Sequence, residues 1–449
     1  MSGERGNGKQ NRNGNGNDNG NGSDEAAGTG RKGKKNALRS GLVAALDVGT
    51  TKASCLIARP VGDGDLQIVG IGHQASHGMR RGTIVDLEAA EASIRATVEA
   101  AERMTGENIR QVFVNVSAGS PHSLMTAHEI STAGHEIGDS DLRRVLDHAA
   151  FMGEIPHDHE IIHVIPIGYS VDGTKGIFDP RGMFGQRLGV NLHVISAASG
   201  PVRNLATCIS RCHLEIAEKV VSPYASALGC LVEDEIALGV TVIDMGGGTT
   251  SIAVFFDGEL IHTDSIPVGG VQVTTDIARG LSTPVAQAER IKTLFGSCMP
   301  SPSDDRQLIE VPPMGVEGTA DTGHVPRSML VNIIRPRIEE IFEIVRARLE
   351  DAGFDKVAGR RVVLTGGASQ LPGAPDLAGM ILDKRVRMGR PLPMAGLPDS
   401  VAGPALAVAI GLLRYAAVHA AESLNGTYRP AEESIGRFGR FGQWLKENF

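Results

Sequence analysis

The pattern of apolar and polar positions changes character at Gly41. Residues 1–40 alternate Asn and Gly with almost no large apolar side chain, too little buried surface to offset the entropy of ordering. From Leu42 the chain reads as strand, Gly-containing turn and strand (LVAALDVGTTKASCLIARP). A third strand over 66–73, a helix over 86–104 and a strand over 111–116 follow. Residues 239–270 (GVTVIDMGGGTTSIAVFFDGELIHTDSIPVGG) repeat the opening: an apolar strand ending in Asp, a Gly/Thr turn, a strand, an Asp-Gly hairpin and a third strand. The turns begin at Asp47 and Asp244, a period too long for a solenoid. The repeat predicts two similar α/β domains facing each other.

Between the copies, 119–194 reads as polar loops, one helix (140–152) and strands around 161–166 and 191–195, which together suggest an inserted subdomain. Residues 201–233 read helix, strand, helix. After the second copy come one helix over 274–294 and a Pro/Gly/Ser/Asp-rich stretch with short strands over 297–325. A long amphipathic helix spans 328–352, where Leu330, Ile334, Ile338, Ile341, Val345 and Leu349 keep helical spacing. Pro336 is expected to kink it or to mark its true start. The apolar segment 401–413 is shorter than the ~18–20 residues needed to span a bilayer and contains Pro404 and Gly411, so it reads as a buried helix.

Composition narrows the classes. A chain of 449 residues exceeds the ~250–300 beyond which single cores split. The net charge of −8 argues against general nucleic-acid binding, which rests on phosphate neutralisation. The tail 1–40 is locally basic, with eight Lys/Arg against four Asp/Glu. It reads as a solvated spacer or as a weak membrane or partner contact through Arg31, Lys32, Lys34 and Lys35. Five cysteines without a CxxC pair suit a reducing compartment. The N-terminus lacks the apolar run of a signal peptide. The His157–His163 run (HDHExxH) does not have tetrahedral metal spacing, and Cys208 and Cys212 read as packing residues on one helix face.

Three Gly-rich junctions carry candidate chemistry. In LDVGTTK, a strand delivers Asp47 to its carboxyl end and Gly49 allows a tight return. Exposed N–H groups and the Thr50 and Thr51 hydroxyls can cradle phosphate, with Lys52 adding charge. Asp47 is placed to hold Mg²⁺ through water. Alone, this motif could equally be a hairpin that contains Gly. IDMGGGTTS repeats it with Asp244, Gly246, Gly247, Gly248 and Thr249, and two such turns suggest a clamp on phosphate from both sides. In VVLTGGASQLPG, Gly366, Gly367 and Ala368 follow a third strand and leave room for a flat ring or an α-phosphate. Glu289 and Lys292 share a helix face as ligand contacts or as an exposed ion pair.

These elements in this order resemble the actin, sugar-kinase and heat-shock chaperone ATPase superfamily over about residues 42–420. The resemblance implies an α/β architecture of two actin-like (ribonuclease-H-like) domains around an ATP–Mg²⁺ cleft. Asp47 and Asp244 would hold the metal through water, Gly366, Gly367 and Ala368 would meet adenosine, and helices over 222–232 and 405–417 would connect the halves. Within the superfamily, IDMGGGTTSIAVF, LTGGASQLPG, HVIP at His163–Pro166 and the inserted subdomain are similar to the bacterial cell-division FtsA family. That family's organisation would give 41–117 with 196–239 as the first domain and 118–195 as the inserted subdomain. Residues 240–272 with 353–419 would form the second domain, carrying subdomain 273–352.

The terminus RFGRFGQWLKENF strengthens the resemblance. Wound as a helix over 434–449 after a polar linker over 420–433, it groups Phe438, Phe441, Leu445 and Phe449, with Trp444 at the flank. Such a segment either docks on its own domain or binds a membrane interface. The resemblance favours the membrane. It further implies a peripheral protein on the cytoplasmic face of the inner membrane at the septum, assembling head to tail into filaments. It would tether the tubulin-like protein FtsZ, bind other division proteins and bind no nucleic acid. IIRPRIEE resembles the helix that docks the FtsZ C-terminal peptide, which assigns Arg337 and Glu340. Turnover is expected to be slow, because SPYASALGCL offers only hydroxyls where relatives place a water-orienting Gln or Glu. No catalytic residue is assigned. A small-molecule kinase and an ATP-binding scaffold of another machine, such as pilus assembly, are the competing readings.

Overall fold

The computed structural model describes residues 41–61, 65–147, 152–315, 323–356 and 359–425. The first half runs β1 (Val43–Val48), β2 (Lys52–Pro60), β3 (Leu66–Ala75), α1 (Leu87–Thr105) and β4 (Gln111–Val116). Then come β5 (His122–Ser131), α2 (Asp139–Val145), β6 (His159–Val171), β7 (Thr174–Ile177) and β8 (Arg187–Ala198), followed by α3 (Ser199–Arg211), β9 (Glu215–Val221), α4 (Ser222–Cys230) and α5 (Glu233–Leu238). The second half runs β10 (Val240–Met245), β11 (Thr250–Phe256), β12 (Glu259–Ile266), α6 (Gly270–Gly280), α7 (Val285–Phe295), α8 (Arg327–Asp351), β13 (Arg361–Thr365), α9 (Ala374–Leu382), β14 (Arg385–Met388) and α10 (Ala407–Asn425).

The sequence repeat is a repeat of topology. One sheet has the order β9-β4-β1-β2-β3, the other β14-β13-β10-β11-β12. In each, a three-strand antiparallel meander is extended by two parallel strands. The six residues of β1 and of β10 are buried throughout, as expected of strands covered on both faces. Registers match too: Asp47 lies opposite Ser54, and Asp244 opposite Ser251. The inserted segment forms a separate antiparallel sheet, β5-β8-β6-β7.

Local signals explain most boundaries. Asp86 caps α1, its carboxylate accepting from the Glu88 and Ala89 N–H groups at 3.1 Å each, and Gly106 closes the helix in the left-handed region. Helix α8 begins at Arg327 and continues through Pro336. Pro336 and Asn332 both face solvent, so water can serve the carbonyl that proline leaves without a donor. Three expectations need correction. Residues 274–294 form two helices, because Ser282 takes a left-handed φ of 50° and Pro284 follows it. Residues 122–131 form a ten-residue strand, not polar loop. The helix expected over 140–152 ends at Val145, with a 3₁₀ turn at Met152–Glu154.

Helices α4 and α10 cross between the two sheets. A Cβ at Gly229 would lie 2.1 Å from the Ala407 carbonyl oxygen, and one at Gly411 would lie 1.6 Å from that of Ala225. Only glycine permits this approach. Helix α10 also closes the first domain: Ile410, Leu412 and Leu413 pack with Val43, Ala45 and Leu56 of the opening strands.

Candidate functional site

The two meanders point their first turns at each other. Gly49 N–H donates to the Lys52 carbonyl at 3.0 Å, and Gly246 N–H donates to the Thr249 carbonyl at 2.8 Å, so the turns are built alike. Between them lies a cavity of about 90 Å³. Asp47, Gly49, Thr50, Thr51 and Lys52 line one side, and Asp244 with Gly246 through Thr249 line the other. Gly366 and Gly367 close the end at β13.

The turns touch. A Cβ at Gly247 would lie 2.6 Å from the Thr51 side chain, and one at Gly248 would lie 2.4 Å from Thr50 Oγ1. Gly247 and Gly248 therefore leave room for the branched Thr51 and Thr50 side chains of the facing turn. Ligand pockets typically hold ~300–1,000 Å³, so the cavity as it stands is smaller than an ordinary ligand pocket.

Burial sets the electrostatics. It raises the Asp47 carboxyl to about 6, against the lowering pull of Lys52. It raises Asp244 to about 7, with Asp47 adding to the shift. The Lys52 ammonium is pushed down by the same desolvation and donates to the Ala405 carbonyl. Two carboxylates in a dry, glycine-walled cleft are a hard-oxygen donor set suited to Mg²⁺, which would favour their charged forms.

Several lining residues were not foreseen. Asn115 Oδ1 accepts from the Val48 N–H at 2.7 Å, and its amide donates to Ser222 Oγ at 3.1 Å. It thereby braces the first turn against the start of α4. Ser117, Ser222, Ser251, Pro404, Ala405 and Val408 complete the lining. A polar Asn at the end of the apolar run QVFVNV was the available signal.

Other predicted residues lie elsewhere. Ala368 begins the 3₁₀ turn after Gly367. Lys292 Nζ lies 2.7 Å from Glu289 Oε2 and donates to Thr274 Oγ1 at 2.8 Å and to the Gly270 carbonyl at 3.2 Å. A Cβ on Gly270 would sit 3.2 Å from that of Ala368 and 3.7 Å from Lys292 Nζ, so this ion pair flanks the Gly366 end from outside the cavity. Arg337 Nε donates to Asp276 Oδ2 at 2.6 Å and Nη2 to Oδ1 at 3.3 Å, and Nη1 pairs with Glu340. Phe438, Phe441, Trp444, Leu445 and Phe449, and the tail 1–40, lie outside the described residues. Among the described residues no helix is long and apolar enough to cross a membrane.

Residues 241–411 match the family described as "Cell division protein FtsA", and residues 118–196 match the "SHS2 domain inserted in FTSA". The chain is 46% identical over 426 residues to Cell division protein FtsA of Agrobacterium fabrum, covering 92% of this chain and 96% of that one. It is 32% identical over 423 residues to that of Escherichia coli K12, covering 91% and 98%. Among solved structures it is similar to the PilM-PilN type IV pilus biogenesis complex, with a TM-score of 0.60, 16% identity and coverage of 84% and 98%. It is also similar to MreB5 of Spiroplasma citri bound to ADP, with a TM-score of 0.53, 14% identity and coverage of 86% and 99%. At such identities these two likenesses concern the fold, which is actin-like. The chain belongs to the FtsA family of actin-like cell-division proteins.

Proposed function

We propose that this chain binds ATP–Mg²⁺ between its two actin-like halves and uses the nucleotide to control assembly. The observation that carries the reading is the pair Asp47 and Asp244. They occupy equivalent positions of a repeated meander, face one cleft, and are both held there at a desolvation cost that a divalent cation would offset. The Gly49–Lys52 and Gly246–Thr249 turns would hold phosphates, and Gly366, Gly367 and Ala368, flanked by Glu289 and Lys292, would meet adenosine. The metal would supply charge neutralisation at the phosphates. Asn115 and Ser222 hold the first turn in place. The absence of a carboxylate or amide side chain along α4 supports slow turnover, below the ~1 s⁻¹ of an ordinary enzyme.

Family membership supports the rest of the reading. The chain polymerises head to tail, binds the FtsZ C-terminal peptide through the α8 face bearing Arg337 and Glu340, and holds FtsZ at the inner membrane of the septum. The 434–449 segment, with Phe438, Phe441, Trp444, Leu445 and Phe449, is the membrane contact. Sedimentation with anionic liposomes, with ATP–Mg²⁺ and FtsZ added or omitted, tests this. The full chain is expected to carry FtsZ down with lipid, and a chain ending at Pro430 is not. If both stay in solution, the tether reading fails. Arg337→Ala is expected to weaken FtsZ-peptide binding, and unchanged binding removes that assignment.

A further inference from the structure

A second cavity of about 400 Å³ adjoins the cleft, and Ser117 and Thr249 line both. Its lining is chemically one-sided. Thr83, Ser117, Ser120, Thr249 and Ser265 supply hydroxyls, His122 and His159 supply imidazoles, and Arg81 supplies a fixed cation. Among the described residues that line it, none is acidic, in a chain whose net charge is −8. A chamber with donors, one permanent positive charge and no carboxylate selects an anion.

Arg81 is positioned by a built feature. The strands Met79–Arg80 and Thr83–Ile84 pair across a two-residue turn, Arg81-Gly82, with φ of 50° and 75°. Positive φ at both positions defines the type I′ hairpin turn. The Gly82 N–H donates to Thr50 Oγ1 at 2.9 Å. A Cβ at Gly82 would lie 3.0 Å from the Ser117 carbonyl oxygen and 3.3 Å from Thr249 Cγ2. The hairpin tip is thus wedged against both phosphate turns, and it carries Arg81 into the adjoining chamber. His159, from the histidine run that lacks metal spacing, also lines the chamber, its Nδ1 3.2 Å from Ser196 Oγ.

We infer that this chamber is a binding site for inorganic phosphate, next to the nucleotide cleft and separate from it. The inference deepens the nucleotide reading and rests on it only for the source of the phosphate. Inside the cleft that source is hydrolysis: a water oxygen bonds to the γ-phosphorus, the bond to the bridging oxygen breaks, and ADP, phosphate and a proton result. The other source is free phosphate from solvent.

Equilibrium dialysis of the nucleotide-free full chain against radiolabelled phosphate tests the site. Wild type is expected to bind one phosphate. Arg81→Gly, which keeps the left-handed turn accessible, is expected to bind at least about tenfold more weakly while ADP–Mg²⁺ affinity stays within about twofold. His122→Glu places a negative charge at the exposed rim and is expected to lose phosphate with the Arg81 turn untouched. Arg81→Lys keeps the charge and retains binding. A wild type that binds no phosphate, or an Arg81→Gly chain that binds it equally well, overturns the site. Phosphate binding without ADP binding overturns the nucleotide reading alone. ADP binding without phosphate overturns the chamber alone. A single-turnover comparison of cleavage with release then identifies the source. A delay in wild type that Arg81→Gly abolishes marks the cleaved phosphate as occupant. Coincident traces with intact equilibrium binding mark free phosphate.

Discussion

Asp47 and Asp244 are each buried against their own charge. Their folded values of about 6 and about 7 stand above the ordinary 3.8, so folding favours the protonated forms. Their contribution to stability is therefore complete below about pH 4 and is lost as pH rises through about 6 to 7. Asp244→Asn is expected to raise the ligand-free melting temperature at pH 8 by a few degrees, about what 1–2 kcal/mol gives in a chain this long. It should also flatten the pH dependence across that window and weaken Mg²⁺-dependent nucleotide binding. Wild-type Mg²⁺–nucleotide affinity should climb over the same window, because fewer protons are displaced. Melting curves from pH 4 to pH 8 and calorimetric titration check both. An Asp244→Asn protein less stable than wild type at pH 8 would show that the carboxylate is held by more than geometry.

Among the elements, the crossing of α4 and α10 depends most on single atoms. Gly411→Ala places a methyl 1.6 Å from the Ala225 carbonyl oxygen, which the backbone cannot absorb without the helices separating. A loss of about 1–3 kcal/mol is expected. Gly200→Ala on α3, where nothing lies within 4 Å, should stay near neutral or gain a few tenths of a kcal/mol. Denaturant melts of the two proteins measure the contrast. The sequence foreshadows this crossing, since small residues recur in both helices. The repeated meander was also legible, because β1 and β10 are mostly apolar and each carries an Asp two residues before a glycine. Strand β5 was not. Its residues 123–126 are all half-buried, alternation with exposed positions runs only from Thr126 to Ser131, and none is fully buried, so HSLMTAHEIS carries too weak a period-two signal. The turn residues of the site were readable because Gly and Asp are costly where they stand. Asn115 and Ser222 were not, because parallel pairing of β4 and β9 brings them to the cleft from distant segments. The break at Ser282–Pro284 is written in the Ser-Thr-Pro string, but the apolar period continues through it and masks the boundary.

At the scale of the molecule, the inserted subdomain reaches across to the second domain. His193 Nδ1 lies 2.8 Å from the Leu260 carbonyl oxygen and its Nε2 lies 2.6 Å from Ser123 Oγ, while the Thr263 N–H donates to that same hydroxyl at 3.3 Å. Burial pushes His193 down to about 3. Its contribution to stability is therefore full above about pH 6.5 and is lost as pH falls through about 3. Ser123→Ala leaves the buried imidazole short of a partner and should cost about 1–3 kcal/mol. If this contact restrains the opening of the cleft, the same change should speed exchange of a fluorescent nucleotide; unchanged exchange would assign the contact to stability alone. The packing of α10 on β1 and β2 has a consequence of a different kind, one of timing. Val43 leaves the ribosome well before Ile410 and Leu412, which pack against it from the far side of the sequence. At about 5–20 residues per second, the first sheet waits roughly 20–70 s with one apolar face open. Ribosome-bound chains halted before residue 400 should stay protease-sensitive across 41–117, and release of the full chain should protect them. Protection before α10 emerges would show that the N-terminal half matures unaided. Otherwise the newborn chain is a client for chaperones throughout its own translation.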